Sequence, residues 1–351
     1  MREANFEKAD SLDRIGEEKP KPADTLSWDV LKAYQKNDAV EAERLYSLMQ
    51  EELKKEKPPR TFPVDIGIFW RLINSGDIED AERVLQRPID PKAKREVVQA
   101  RSSAIGFAAI LRGRFHDARK HFASARDKAS TDDDFGMSTE PFLIPPANEL
   151  QGLRNRVASE DSTAGEGPGP ETLLRAQFRL YKLAMLNCRL GNTAEALSQA
   201  LKIETLPAPA YWRPAMQALA TNVRTFADVQ RGDVAQAVKR IESIPIDVPL
   251  DLRGTPAHRI EETLWRGELL YRAGRYDEAL PYFENPSEQN QEAWPFFKLR
   301  AAQIYDRKGD AKKAASLYAE FLRYWKNPDP ELTPLVLQAQ SALAALQRKR
   351  D

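Results

Sequence analysis

A turn residue followed five positions later by alanine recurs seven times along this 351-residue chain. Successive turn residues lie 39, 37, 78, 41, 42 and 35 positions apart, and the longest gap is about twice the others. A fixed offset inside such a period is typical of a repeat protein. Because one repeat buries its apolar face only against its neighbours, the pattern predicts a stack of similar units. The pairs are Asn37/Ala42, Gly76/Ala81, Gly113/Ala118, Gly191/Ala196, Gly232/Ala237, Gly274/Ala279 and Gly309/Ala314.

Apolar residues at helical spacing flank these turns, as they do on both sides of Gly274. Glycine adopts a left-handed backbone conformation at little cost, so it can end the first helix of a pair. An aspartate directly after the turn can cap the second helix. The recurring alanine is small, which suits a close crossing of the two helices. The aspartates that we expect to act as caps are Asp77, Asp233 and Asp310.

The most complete unit has a small residue, a turn glycine, an alanine, an aromatic residue and a second alanine, at Gly106, Gly113, Ala118, Phe122 and Ala125. This unit resembles the tetratricopeptide repeat. The resemblance covers residues 26–128 and 173–350, and it implies an all-α fold. The architecture that it implies is an α-solenoid of helix-turn-helix repeats with a C-terminal capping helix. Most units are longer than the family's, which leaves another helical-hairpin repeat open.

Two segments interrupt the repeats. Residues 1–25 are polar and charged, so we expect a flexible tail there. Residues 129–172 are an irregular insert, in which a short helix at 147–158 could stand for a decayed repeat and a loop rich in Gly, Ser and Pro follows at 159–170. N-terminal repeats at 26–128 and C-terminal repeats with the capping helix at 173–350 complete this division.

The composition excludes several classes of protein. Lys plus Arg and Asp plus Glu both number 53, so the chain lacks the basic excess of a dedicated nucleic-acid binder. It has no apolar run of about 18 residues, so we expect no membrane span. The charged residues 1–21 do not resemble a signal peptide, and we expect a cytoplasmic protein. A secreted form trimmed before this sequence begins stays open.

Chemistry-bearing motifs are sparse. His116 and His121 lie five residues apart, unlike a helical metal pair, and the acidic run Asp132–Asp134 lacks the spacing of a calcium loop. Asp134, Phe135 and Gly136 spell a kinase tripeptide without the other kinase motifs. The single cysteine, Cys188, fits a buried small residue better than a nucleophile. We therefore predict no catalytic residue, no metal and no cofactor.

The C-terminal segment Phe321-Leu322-Arg-Tyr-Trp325-Lys326-Asn-Pro-Asp329-Pro330 resembles the end of the repeat regions of many bacterial eukaryotic-like Ser/Thr kinases and related regulators. Trp325 would extend the apolar face of the preceding helix, and the prolines would end that helix. A last helix would then cover the open end of the stack. The residues expected on its apolar face are Leu335, Leu337, Ala339, Leu343 and Leu346.

In the tetratricopeptide family the first helix of each unit lines a concave groove that binds a partner. Arg189, Arg272 and Arg307 share one place in three units. Arginines and aromatic residues dominate interface hot spots, although an arginine in the last turn also favours the helix dipole. The family's carboxylate clamp for chaperone tails is not expected. The resemblance assigns to the groove Trp70, Tyr181, Met185, Arg189, Asn222, Phe226, Glu268, Tyr271, Arg272 and Arg307.

Three functions follow as hypotheses. The first is a non-enzymatic scaffold for protein–protein interaction, with a peptide or a partner helix in the groove. The second is the sensory or regulatory repeat portion of a bacterial signalling protein such as a Ser/Thr kinase. The third, an enzyme with its site on the insert, has the least support in the sequence.

Overall fold

The computed structural model describes residues 22–36, 38–55, 64–88, 93–125, 147–159, 170–207, 210–244, 256–284 and 293–348. Within these ranges the chain is all-helical, with 16 α-helices, short 3-10 helices at Ala210–Trp212 and Pro330–Leu332, and no strand. This confirms the predicted all-α class. Among the described helices, none combines the length and the apolar character needed to cross a bilayer.

The chain divides into two compact units. The first comprises Met1–Ile110 and Arg114–Asp127, and the second comprises Leu111–Gly113 and Lys128–Asp351. In the first unit, α1 packs against α2 and α3, and α3 packs against α4. The helices of this part of the chain are α1 (Pro22–Gln35), α2 (Ala39–Lys55), α3 (Val64–Ser75), α4 (Ile78–Gln86), α5 (Arg95–Leu111) and α6 (Phe115–Ala125).

In the second unit each helix from α8 onward packs against the one before it, and α8 also packs against α10. Such packing between neighbours in sequence is the arrangement of a helical-repeat protein. The helices are α7 (Ala147–Ser159), α8 (Pro170–Arg189), α9 (Thr193–Thr205), α10 (Arg213–Gln230), α11 (Val234–Glu242), α12 (Pro256–Arg272), α13 (Tyr276–Glu284), α14 (Trp294–Arg307), α15 (Ala311–Tyr324) and α16 (Thr333–Arg348).

The turn glycines have the predicted left-handed conformation. All six have φ between 72° and 81°. At Gly274, its N–H donates to the Tyr271 carbonyl at 3.0 Å and the next N–H, of Arg275, donates to the Leu270 carbonyl at 2.9 Å. These two bonds form a Schellman motif, which satisfies carbonyls at the end of the first helix. Asn37, the turn residue of the first pair, lies outside the described residues.

The recurring alanines lie at close helix crossings. Ala118 is 2% exposed and the other six alanines are 0% exposed. On the first helices, a Cβ atom placed at Gly106 would lie 2.9 Å from the ring of Phe122, and one at Gly267 would lie 2.9 Å from the ring of Phe283. Small residues therefore let the two helices of a hairpin approach each other, as the pattern predicts.

The capping prediction is correct at two of three positions. Asp233 accepts a hydrogen bond from the N–H of Gln236 at 3.0 Å, and Asp310 accepts one from the N–H of Lys313 at 3.1 Å. Asp77 makes no such cap. Its carboxylate accepts a hydrogen bond from the hydroxyl of Ser75 at 2.8 Å instead, because this nearby donor competes with the backbone of α4.

Two predicted boundaries need correction. Helix α1 begins at Pro22, inside the expected tail, because proline suits the first position of a helix. Helix α8 likewise begins at Pro170 rather than at residue 173. The short helix expected at 147–158 is confirmed as α7. The rest of the tail and of the insert, including Asp132–Asp134, lies outside the described residues.

The C-terminal helix is present, but its buried face differs from the prediction. Trp325 is 2% exposed and packs against Phe321 with ring centroids 5.0 Å apart. Helix α16 packs on α15. Leu337 was expected on the apolar face, yet it is 55% exposed. Helical periodicity places Val336 there instead, in register with the buried Ala339 and Leu346.

Candidate functional site

Trp70 is the predicted site residue in the first unit. It lies half-buried on α3, next to Phe69, with ring centroids 5.0 Å apart. Its indole also packs edge-on against Phe107 of α5 at 4.6 Å. Aromatic side chains therefore connect α3 and α5, as expected for first helices of neighbouring repeats. Contact of Trp70 with a partner stays a prediction.

Most predicted site residues of the second unit are buried. Phe226 of α10 stacks on Trp265 of α12, with ring centroids 4.9 Å apart and an angle of 29°. In this structure such side chains join successive first helices, and their role in binding stays a prediction. The buried members are Tyr181, Met185, Asn222, Phe226 and Glu268.

Asn222 is a buried polar side chain on the same helix. It is 1% exposed, and neither its amide oxygen nor its amide nitrogen has a hydrogen-bond partner within the described ranges. A buried polar group without a partner destabilises a fold by about 1–3 kcal/mol. Asn222 therefore places a polar group among the buried side chains of α10 and lowers the stability of the fold.

Glu268 lies at the centre of a cluster of charges formed by α12 and α14. Its carboxylate is fully buried and accepts two hydrogen bonds from Arg300, at 2.6 and 2.9 Å. Arg272 donates a third from Nε at 2.9 Å. The two-pronged contact with Arg300 is the geometry in which guanidinium and carboxylate pair most strongly. Arg272 and Arg300 therefore share this one carboxylate.

Two tyrosines connect this cluster to Arg307. The guanidinium of Arg300 lies 4.6 Å from the ring centroid of Tyr271, and Tyr271 packs edge-on against Tyr276 at 5.5 Å. The guanidinium of Arg307 lies 5.2 Å from the ring of Tyr276. Side chains from α12, α13 and α14 thus form a continuous series, Arg300, Tyr271, Tyr276 and Arg307, which we call the Arg/Tyr row.

The accessible predicted residues are the polar ones. Arg272 and Arg307 are exposed, and Tyr271 and Arg189 are half-buried. Tyr271, Arg272 and Arg307 belong to or adjoin the Arg/Tyr row, whereas Arg189 lies at the end of α8. The structure therefore brings these three residues together with a fourth predicted residue, the buried Glu268.

Arg300 and Tyr276 were not predicted from the sequence. Arg300 lies on a first helix but not at one of the positions that the resemblance assigns to the groove, and Tyr276 belongs to a second helix. A signal was available in Glu268, because an ionised carboxylate at a buried helix position requires a cation within reach. Arg300, 32 positions further along the chain, supplies that cation.

Two other side chains, a thiol and a phenol, have pKa values raised by burial. Cys188 is fully buried, and burial raises the pKa of its thiol to about 12. The thiol is therefore protonated at neutral pH, and the prediction of a buried small residue is confirmed. Tyr318 lies near Tyr271, Asp306 and Arg307, and burial, reinforced by the charge of Asp306, raises the pKa of its phenol.

A separate cavity of about 330 Å³ lies beside α11, α12 and α13. Its two carboxylates, Glu242 and Glu278, both pair with Arg275, the first at 2.8 Å and the second at 2.5 Å. Their charges are therefore partly balanced within the unit. The cavity is lined by Ile241, Glu242, Arg266, Leu270, Glu278, Pro281 and Tyr282.

No protein-family model matches the chain, and no match is found among curated proteins. The class of this protein is therefore described from its fold alone. Among the described residues it is an all-α protein of helical hairpins, six of which have a left-handed glycine at the turn and a buried alanine five residues later.

Proposed function

We propose that this chain is a non-enzymatic scaffold for protein–protein interaction. Its hairpins would stack as an α-solenoid of tetratricopeptide-like repeats and hold an extended peptide or a partner helix in a concave groove formed by the first helices. The observation that carries the proposal is the repeated hairpin. Six turn glycines have positive φ, and the alanine five positions after each is at most 2% exposed.

The side chains accessible on the first helices support a role in binding. Arg272 and Arg307 are exposed and Tyr271 is half-buried, and these residue types are enriched in interface hot spots. The positive and negative charges of the whole chain are equal in number, so a protein suits it better as a partner than a nucleic acid. We place this activity in the cytoplasm.

The experiment is affinity capture with mass spectrometry on the variant Arg189→Ala, Arg272→Ala, Arg307→Ala. Glu268 keeps its two hydrogen bonds to Arg300 in this variant, so circular dichroism should show unchanged helicity. The partners of the wild-type protein should be lost. A variant that folds and still captures every partner would refute binding at this face.

A matched control removes the same number of positive charges from second helices. Lys202 on α9, Lys239 on α11 and Lys312 on α15 are all exposed. Their joint replacement by alanine should leave the captured partners unchanged. If this control loses the same partners, net charge rather than the groove governs capture.

The regulatory repeat portion of a bacterial signalling protein, such as a Ser/Thr kinase, is the second candidate. It is favoured by the segment around Trp325, which is buried against Phe321 and precedes the 3-10 helix Pro330–Leu332 and the last helix. This candidate predicts a kinase or winged-helix region encoded in the same gene, and reading that gene tests it.

A further inference from the structure

We propose that the segment Trp325–Asp329 is a clasp, which joins the end of helix α15 to the residues Leu111–Gly113. These three residues belong to the second unit, although Arg112 lies 211 positions before Arg323 in the sequence. The clasp is a conformational device. While it is closed it holds the hairpin α14–α15 in place, and when it is open this hairpin separates from the rest of the second unit.

The first contact of the clasp is a helix cap. Arg112 is 6% exposed, and its guanidinium donates to the carbonyl of Arg323 at 2.8 Å and to the carbonyl of Tyr324 at 3.4 Å. These two residues end α15, and the last carbonyls of a helix have no donor within the helix. Because these carbonyls carry partial negative charge, the cationic guanidinium stabilises this end of α15.

The same kind of cap joins consecutive helices elsewhere in the second unit. Arg179 of α8 donates to two carbonyls at the end of α7, at 3.1 and 2.6 Å, and Arg266 of α12 donates to the carbonyl of Ile244 just after α11, at 2.7 Å. In both cases the arginine belongs to the helix that follows in the chain. Helix α16, which follows α15, has no lysine or arginine before Arg348. Arg112 therefore supplies the cap that the following helix supplies at the other two positions.

The second contact of the clasp is made by the backbone of Gly113. Its carbonyl accepts a hydrogen bond from the N–H of Asp329 at 2.8 Å. A Cβ atom at Gly113 would lie 3.0 Å from Cβ of Pro328 and 3.1 Å from the indole of Trp325, so the absence of a side chain lets this segment approach. In the described part of the chain, four other turn glycines have open space where a Cβ atom would be, namely Gly191, Gly232, Gly274 and Gly309.

The separation in sequence decides what these contacts do. A repeat in a stack contacts only its neighbours, so a repeat near one end can open without the others. Here α14 packs on α13, and α15 packs on α16. The clasp adds a contact that neighbouring repeats do not supply, and opening the hairpin α14–α15 also breaks that contact. Because α14 supplies Arg300 and Arg307, the clasp also keeps the Arg/Tyr row together.

A structural alternative is that Arg112 and Asp329 only stabilise their own turns. Both explanations predict that loss of these contacts lowers the free energy of unfolding, so a thermal melt does not separate them. They differ in where the backbone opens. A local contact protects the amides close to it from exchange with solvent, whereas a clasp also protects the amides of α14, which contributes no residue to it.

The test is amide hydrogen exchange of the full chain, measured by mass spectrometry, with two variants that open the clasp from different sides. Arg112→Met removes the donors of the cap and keeps an unbranched side chain. Asp329→Pro removes the N–H that bonds to the carbonyl of Gly113, and the φ of −55° at Asp329 suits proline. Each variant should raise the exchange rate of the α14 amides about fivefold or more, while the amides of α8 exchange as in the wild-type protein.

Two control variants are matched to these changes. Arg348→Met removes an exposed arginine from α16, and Asp329→Ala removes the same carboxylate as Asp329→Pro but keeps the N–H. Both controls should leave the exchange of the α14 amides unchanged. Asp329 is half-buried, so Asp329→Pro still tests the clasp if the variant at the buried Arg112 does not fold.

Three results would overturn the clasp. The first is exchange of the α14 amides at the wild-type rate in a folded clasp variant, with any faster exchange confined to the last turn of α15. The second is an equal rise in exchange over α8 and α14, which would mean that the contacts stabilise the whole unit rather than this hairpin. The third is the same effect for Asp329→Ala as for Asp329→Pro, which would assign the effect to the carboxylate.

Discussion

Three glycine-to-alanine substitutions separate the two reasons for which a helical hairpin needs glycine, namely space and backbone conformation. A Cβ atom at Gly267 would lie 2.9 Å from the ring of Phe283 and 3.0 Å from Cβ of Tyr282. Gly274 has open space around it but a φ of 76°. Gly152, inside helix α7, has open space and no positive φ.

The magnitudes follow from these surroundings. Gly152→Ala should raise the free energy of unfolding by about 0.5–1 kcal/mol, because alanine loses less backbone entropy in a helix. Gly267→Ala has the same gain but overpacks the crossing, which costs about 1–3 kcal/mol. Phe283 is 2% exposed and packs against Phe297 at 5.8 Å, so its ring has no room to retreat. Gly274→Ala should lose about 1–2 kcal/mol through its left-handed backbone.

The assay is urea unfolding followed by far-ultraviolet circular dichroism, with the midpoint of each variant compared with that of the wild-type protein. We expect the midpoint to rise for Gly152→Ala and to fall for Gly274→Ala. The urea midpoint of Gly267→Ala should lie below that of Gly152→Ala, by an amount that corresponds to the overpacking cost of about 1–3 kcal/mol. If Gly267→Ala stabilises the protein as much as Gly152→Ala does, the close crossing described for this hairpin is wrong.

Three further predictions concern single groups. Glu268→Leu should lower the free energy of unfolding by about 3–5 kcal/mol, because it leaves the 14%-exposed Arg300 without its carboxylate. The double variant Glu268→Leu, Arg300→Leu should recover most of that loss in thermal melts. If its loss instead equals the sum of the losses of the two single variants, the pairing is contradicted. In the same melts, Asp310→Ala should cost about 0.5–2 kcal/mol as a lost helix cap, and Asp77→Ala should cost less because it caps nothing. The pKa of Cys188 is raised from 9.0 to about 12, so the unfolded thiol ionises first and the free energy of unfolding should fall as pH rises through that window. Cys188→Ala should show a smaller fall in urea titrations at the same pH values.

The hairpins could be predicted because their chemistry is local. A left-handed glycine and the alanine five residues later are each determined by contacts within one turn and one crossing, so the printed sequence contains the whole argument. The two wrong predictions, at Asp77 and Leu337, depend on details that differ by only one or two residues. At Asp77 a hydroxyl two residues earlier captures the carboxylate. At Leu337 a shift of one residue in helical register moves the side chain out of the core and places Val336 inside it.

The exposed face of the first helices was harder to predict, because the same repeat positions can either pack against a neighbouring helix or contact a partner. Phe226 and Glu268 occupy groove positions, yet they are buried because they hold neighbouring first helices together. Position in the repeat therefore does not distinguish a residue that packs from one that meets a partner. Ion pairs between helices supply information that position does not, because no single repeat contains both partners. Glu268 is satisfied by Arg300 from the next repeat, whereas Arg307 has a tyrosine ring and no carboxylate among the described residues. Candidate binding residues are therefore best sought among exposed arginines, such as Arg307, that no neighbouring helix pairs with a carboxylate in the described part of the chain.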